Sequence, residues 1–157
     1  MAELLGAVEA SAVATALRGS TWAYPLVNAG HIVGVALLFG AIAPVDLRLL
    51  GAWRNVPVAV FLRVLVPVSL AGLGLAALCG GLLFVTDARD YAASGLFRAK
   101  MAMLAVGLAN AAALHALRRR HDPEIAGRPV PGRRLFAAAS LAAWLSVIVL
   151  GRLIGYF

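Results

Sequence analysis

Cysteine occurs once in this chain, at Cys79, so no intramolecular disulfide can form and no Cys-x-x-Cys motif exists to hold a metal or attach a haem. Charge is scarce as well. Only 13% of the 157 residues are Asp, Glu, Lys or Arg, against about 25% in an ordinary soluble domain. There is no glycine-rich phosphate loop, which excludes a motor ATPase. Paired carboxylates within an apolar stretch and a Ser/His/Asp arrangement are missing too, which argues against a stand-alone enzyme of the hydrolytic kind. A secretory signal is not expected, since the N-terminal segment carries Glu3 and Glu9 in place of a basic start and lacks a long apolar run.

What the chain has is apolar surface: 62% of its residues are hydrophobic. That balance reads as a polytopic membrane protein of one domain, residues 1–157. The net charge of +7 does not point to nucleic acid. Of fourteen basic residues, Arg118, Arg119, Arg120, Arg128, Arg133 and Arg134 fall in the single segment 118–134, as on the cytoplasmic side of a membrane protein.

Crossing roughly 30 Å of hydrocarbon takes about 20 residues of helix. Four stretches are long enough, at 24–45, 58–86, 97–117 and 135–157, the second carrying Pro67, where a tilt or kink is expected. Backbone groups must be satisfied internally in lipid, so these are helices, and the fold class is an all-α transmembrane four-helix bundle. A short interfacial helix is expected at 3–18, with Leu4, Leu5, Val8 and Leu17 turned to lipid. Ser20 suits a helix N-cap ahead of the first span, whose first turn holds Pro25.

Orientation follows from the short loops. The 46–57 loop holds Arg48 and Arg54, and the 118–134 loop holds the arginine cluster, a Pro/Arg-rich segment suited to anionic lipid. The opposite flanks have only Arg18 and Arg89, the latter offset by Asp87 and Asp90. Both termini are therefore predicted outside, in the periplasm of a bacterial inner membrane. Trp22, Tyr24, Tyr91, Tyr156 and Phe157 would gather at the outer interface and Trp53 at the inner one.

A helical rise of 1.5 Å per residue converts position into depth. His31 then lies about 10 Å below the outer boundary, level with Cys79 on the second span and Met103 on the third. Lys100 and Arg152 lie about 5 and 7 Å down, so all five can share one layer. His115 sits roughly 17 Å deeper than His31, too far for both to ligate one haem iron. His121 falls in the cytoplasmic loop. A mixed site remains: His31 with Met103 as haem b ligands, or His31, Cys79 and Met103 around copper, with Arg152 or Lys100 neutralising a propionate, a quinone or another anion. The alternatives are a histidine bonded to a helix carbonyl, sulfur side chains that merely pack, and an arginine that snorkels outward or pairs with Asp87 or Asp90. Deep on the third span, Asn110 and His115, with Ser140, suggest an inner polar patch. Gly30/Gly34 and Gly151/Gly155 have the GxxxG spacing that lets helix backbones approach, and the second span adds Gly72, Gly74, Gly80 and Gly81.

The stretches "STWAYPLVNAGHIVG", "DLRLLG", "FRAK", "NAAALH" and "GRLIGY" together resemble a group of small four-span bacterial membrane proteins of unknown function. The resemblance covers most of the chain and implies the four-span fold. In that group's pattern a glutamate commonly stands where this chain has Asn28. More loosely, the membrane histidines are similar to those of copper-resistance D-type and cytochrome b-type bundles. That likeness implies haem binding, copper handling or electron transfer to quinone, although their full set of histidines is not present.

Three functions follow as expectations. The first is a redox- or metal-linked membrane protein acting in electron transfer, with His31 as the principal ligand. The second is a cofactor-free accessory or assembly subunit that contacts other membrane subunits through its glycine faces. The third is a small permease, disfavoured because four helices leave little room for a path and no inverted repeat is visible.

Overall fold

The computed structural model describes residues 2–120 and 132–156. Those residues form helices and no strand: α1 (Ala2–Glu9), α2 (Ala12–Gly19), α3 (Ala23–Leu50), α4 (Val58–Thr86), α5 (Ala88–Ala93), α6 (Gly95–Arg120) and α7 (Arg133–Leu153). Four of them, α3, α4, α6 and α7, are long and apolar enough to cross a membrane. The protein is an all-α, multi-pass four-helix bundle. His121, Arg128 and most of the 118–134 loop lie outside the described residues, as does Phe157.

Two span boundaries differ from those expected. The first span runs to Leu50 instead of ending near residue 45, so Asp46 and Arg48 are helical and not loop. The last span stops at Leu153, short of the chain end. Gly51, at φ 124°, turns the chain after α3 and donates its amide to the Leu47 and Arg48 carbonyls. That backbone conformation favours glycine, the usual residue just past a helix end.

The four spans alternate in direction. Burial recurs on α4 at Ser69, Gly72, Ala76, Cys79 and Thr86, and on α3 at Gly34, Leu38, Ala41, Val45 and Leu49. Steps of three and four residues make one continuous stripe per helix, the pattern of nearly antiparallel bundles. α3 packs against α4 on one side and α7 on the other, and α7 carries α6. No Cα of α6 comes within 8 Å of one in α3 or α4 among the described residues. Large side chains on the far faces, such as Leu26, Val64, Leu78 and Leu145, are exposed, as a bilayer requires of its solute.

The tightest seam is α3 with α4. A Cβ placed on Gly34 would lie 2.5 Å from the Ala76 amide nitrogen and 2.9 Å from the Gly72 carbonyl oxygen. One on Gly72 would collide with the Leu38 amide nitrogen. Helices approach this closely only through glycine, and in lipid such van der Waals contact is a main source of association. Gly80 also faces α3, whereas Gly74 and Gly81 of the same helix meet open space.

Where α3 meets the 51–57 turn, Val45, Leu49 and Ala137 form a buried cluster with Phe61, Leu62 and Leu65 of α4 and Leu114 of α6. This is the loop end of the bundle. Arg48 holds the turn by donating to the Val56 carbonyl at 2.7 Å, and Trp53 stacks on Phe61. At the opposite, terminal end, the rings of Phe84, Tyr91 and Phe97 stack in one group and join α4, α5 and α6.

The expected interfacial helix is two helices, broken at Ser11, whose hydroxyl caps α2 by accepting from the Ala14 amide at 3.3 Å. Leu4 is exposed, but Leu17 is buried with Ala14 and turns to the protein instead of lipid. The cause is Arg18, which pins α2 to the end of α4. Its guanidinium donates to the Thr86 carbonyl at 2.7 Å and to the Glu9 carbonyl at 2.5 Å. Glu9 in turn accepts from the Arg89 amide at 2.8 Å. Ser20 accepts from the Ala23 amide at 3.1 Å, as an N-cap side chain does.

Candidate functional site

His31 lies on the α3 face that meets α4, half-buried, with its Nδ1 2.8 Å from the Ala76 carbonyl oxygen. A carbonyl oxygen only accepts, so Nδ1 carries a proton and donates, and in the neutral ring Nε2 keeps its lone pair. Gly80 makes the room: a Cβ there would stand 3.0 Å from the imidazole Cε1. The sequence thus fixes both position and tautomer with an unhindered stretch of α4, Ala76 to Gly80.

Lys100 is near enough to this imidazole to act on it electrostatically. It starts from α6, and its Nζ lies against Gly151 of α7, 3.3 Å from where a Cβ would be. Gly151 therefore serves less to bring two backbones together than to admit an ammonium group between α6 and α7. The other member of its GxxxG pair, Gly155, meets only its own helix.

Arg152 does not join them. Its guanidinium is exposed, hydrogen-bonded to the Tyr156 hydroxyl and stacked 4.6 Å from the Tyr156 ring centroid. This cation–π contact at the helix end replaces the seam position expected from depth alone, and no pairing with Asp87 or Asp90 is formed. Depth placed both cations in one layer, but rotation about the helix axis separates them.

The sulfur residues divide similarly. Cys79 is buried in the α3–α4 seam, its Sγ against Gly30. Met103 is half-buried on α6, the helix that keeps its backbone away from α3 and α4. Among the described residues no three His, Cys, Asp or Glu side chains gather so as to hold a metal ion.

Asn110 donates its side-chain amide to the Phe136 carbonyl at 2.9 Å, one turn from Ser140, and ties α6 to α7. His115 is exposed. Ser140 is buried and lies close to the carboxyl of Asp46, a residue assigned from sequence to a cytoplasmic loop.

Asp46 is 3% exposed, and its Oδ2 has no hydrogen-bond partner among the described residues. One turn from Ser140 on α7, Trp144 is also buried, its indole ring against Gly107 and its Nε1 unpartnered. Fifteen residues of α3 separate Asp46 from His31, about 22 Å along the axis. The molecule thus has two polar centres, one near each end. The signal that could have found the second is that "APVDLRLL" continues the apolar stripe of α3 through Val45 and Leu49.

The chain matches no protein-family model, no curated protein and no solved structure.

Proposed function

We propose that this protein acts in membrane electron transfer as a quinone-binding protein, with His31 and Lys100 taking the ligand's head group. The observation that carries this reading is the His31 tautomer: Nδ1 is committed to the Ala76 carbonyl, which orients the ring and leaves Nε2 as an acceptor. A bare imidazole nitrogen suits the hydroxyl of a quinol, and an ammonium group suits a quinone carbonyl oxygen. Lys100 supplies that ammonium from the facing helix pair. A lipid-soluble ligand reaches such a site from the bilayer without crossing water. Arg152, at the surface with Tyr156, is left out of the site.

The same reading includes location. Arg48, Arg54 and Arg63 stand at the loop end, and the 118–134 segment adds six arginines. At the terminal end, Arg18 and Arg89 are engaged by Glu9 and the end of α4. By the positive-inside rule the loop end faces the cytoplasm of a bacterial inner membrane, and the termini face the periplasm.

One observation favours a second reading, an accessory subunit. Only 6% of the apolar window of α6 is buried within the molecule. A helix so little used by its own chain has a long face available to a neighbouring subunit.

The test is gentle extraction into nanodiscs followed by quantification of retained quinone, with metal analysis and a reduced-minus-oxidised optical spectrum. Quinone retained by the parent and lost from His31→Ala and Lys100→Met, in a preparation without haem bands or bound copper, supports the reading. Quinone-free protein that stays folded and travels with a large membrane complex would overturn it in favour of the accessory role.

A further inference from the structure

Asp46 stands one turn inside the loop end of α3, buried and close to Ser140 of α7, and its Oδ2 has no hydrogen-bond partner among the described residues. A buried carboxylate needs a cation or hydrogen-bond donors to offset its lost hydration. Among the described residues the charged groups of the packed elements do not provide one. On α3, Arg48 is turned to the Val56 and Arg54 carbonyls. On α4, Arg63 is exposed; on α6, His115 and Arg118 are exposed; on α7, Arg133 and Arg134 occupy the first turn, Arg133 partly buried and Arg134 exposed. The only charged residue of α2, Arg18, is bound at the terminal end.

Asp46 Oδ2 asks for a donor. A proton meets that need directly, because it also removes the charge that burial disfavours.

We propose that Asp46, beside Ser140, is a proton-binding site inside the bundle, loaded from the loop end. In the step, hydronium from the aqueous phase gives its proton to the Asp46 carboxylate and leaves as water; release is the reverse. The distance to the helix end, four residues or about 6 Å, keeps that path short. This site stands independently of the quinone reading, since its residues lie in the other half of the molecule.

A hydrophobic carbodiimide tests it, because this reagent adds stably to a carboxyl only where the group is protonated and shielded from water. Protein in phosphatidylcholine nanodiscs is treated across a pH series, and adducts are mapped by mass spectrometry. The expected result is one stable adduct, on Asp46, forming at least tenfold faster at the acid end of the series and absent from Asp46→Asn. Infrared spectra of the unlabelled parent provide a measurement that no variant can spoil: a protonated-carboxyl band that vanishes as pH rises. Labelling of other carboxyls alone, a rate that ignores pH, or protection by sodium at fixed pH would overturn the proposal, the last by making this a metal-cation site.

Discussion

Replacing Gly34 with alanine adds a single methyl group at the point where α3 and α4 lie closest. That methyl would sit 2.5 Å from the Ala76 amide nitrogen and 2.9 Å from both the Ala76 Cα and the Gly72 oxygen. Ordinary contact begins about 1 Å further out, and all three obstructing atoms are backbone, which cannot rotate aside. The helices must part along the whole seam, loosening the Gly72–Leu38 and Gly30–Cys79 contacts and drawing the Ala76 carbonyl from His31. Overpacking of this kind costs about 1–3 kcal/mol. For a chain of this size that is roughly 2–12 °C in the unfolding midpoint. The chain provides its own reporter, because its one thiol, Cys79, is buried in the same seam. Thermal unfolding followed with a thiol-reactive fluorophore should therefore move to lower temperature in Gly34→Ala. Gly40→Ala and Gly74→Ala are the controls. Neither site has an atom within 4 Å of the added carbon, and alanine gains about 0.5–1 kcal/mol over glycine inside a helix. If the Gly34→Ala curve overlays the parent's, or Gly74→Ala falls as far, close backbone packing is not what holds this seam.

Two other outcomes follow. Trp144→Ala empties the junction between α7 and Gly107 of α6 and should cost about 3–5 kcal/mol. Trp144→Phe keeps most of the ring, removes an unpartnered N–H and should cost well under half of that in the same unfolding assay. Tyr91, outside the spans, has its hydroxyl held above the usual value of 10.0 by burial first, then by Tyr24 and Asp87. The folded state therefore keeps this proton longer than the unfolded one. The contribution is intact below about pH 10 and lost as pH rises through the folded value. The midpoint of the parent should fall more steeply than that of Tyr91→Phe above pH 10, and parallel curves would refute the shift.

The spans were readable because lipid makes a blunt demand, long apolar runs, and α4 was placed at 58–86 as observed. Where tertiary packing competed with composition, sequence reading stopped early. Asp46 and Arg48 look like the start of a loop, yet helix α3 continues because Val45 and Leu49 have a core to enter and Asp46 lies beside Ser140. The break at Ser11 was hidden for a related reason: the inward turn of Leu17 depends on Arg18 reaching the end of a helix nearly seventy residues away. In the candidate site, helical rise set His31, Lys100 and Arg152 in one layer, which is information about height only. The angle about each axis decides which of them meet, and that depends on Gly80 and Gly151 making room and on Tyr156 capturing the guanidinium. Asn110 and His115, five residues apart on α6, diverge by the same rotation.

The helix order leaves one edge of the molecule different from the others. Along the border of α4 with α6 no Cα pair comes within 8 Å among the described residues, and the rings of Phe84 and Phe97 are what span it near the terminal end. Such a border opens by rotating side chains, with every backbone hydrogen bond left in place. On the quinone reading proposed above, this is the side by which a flat molecule dissolved in the bilayer would enter, while the α3–α4 and α6–α7 pairs stay joined by the α3–α7 contact.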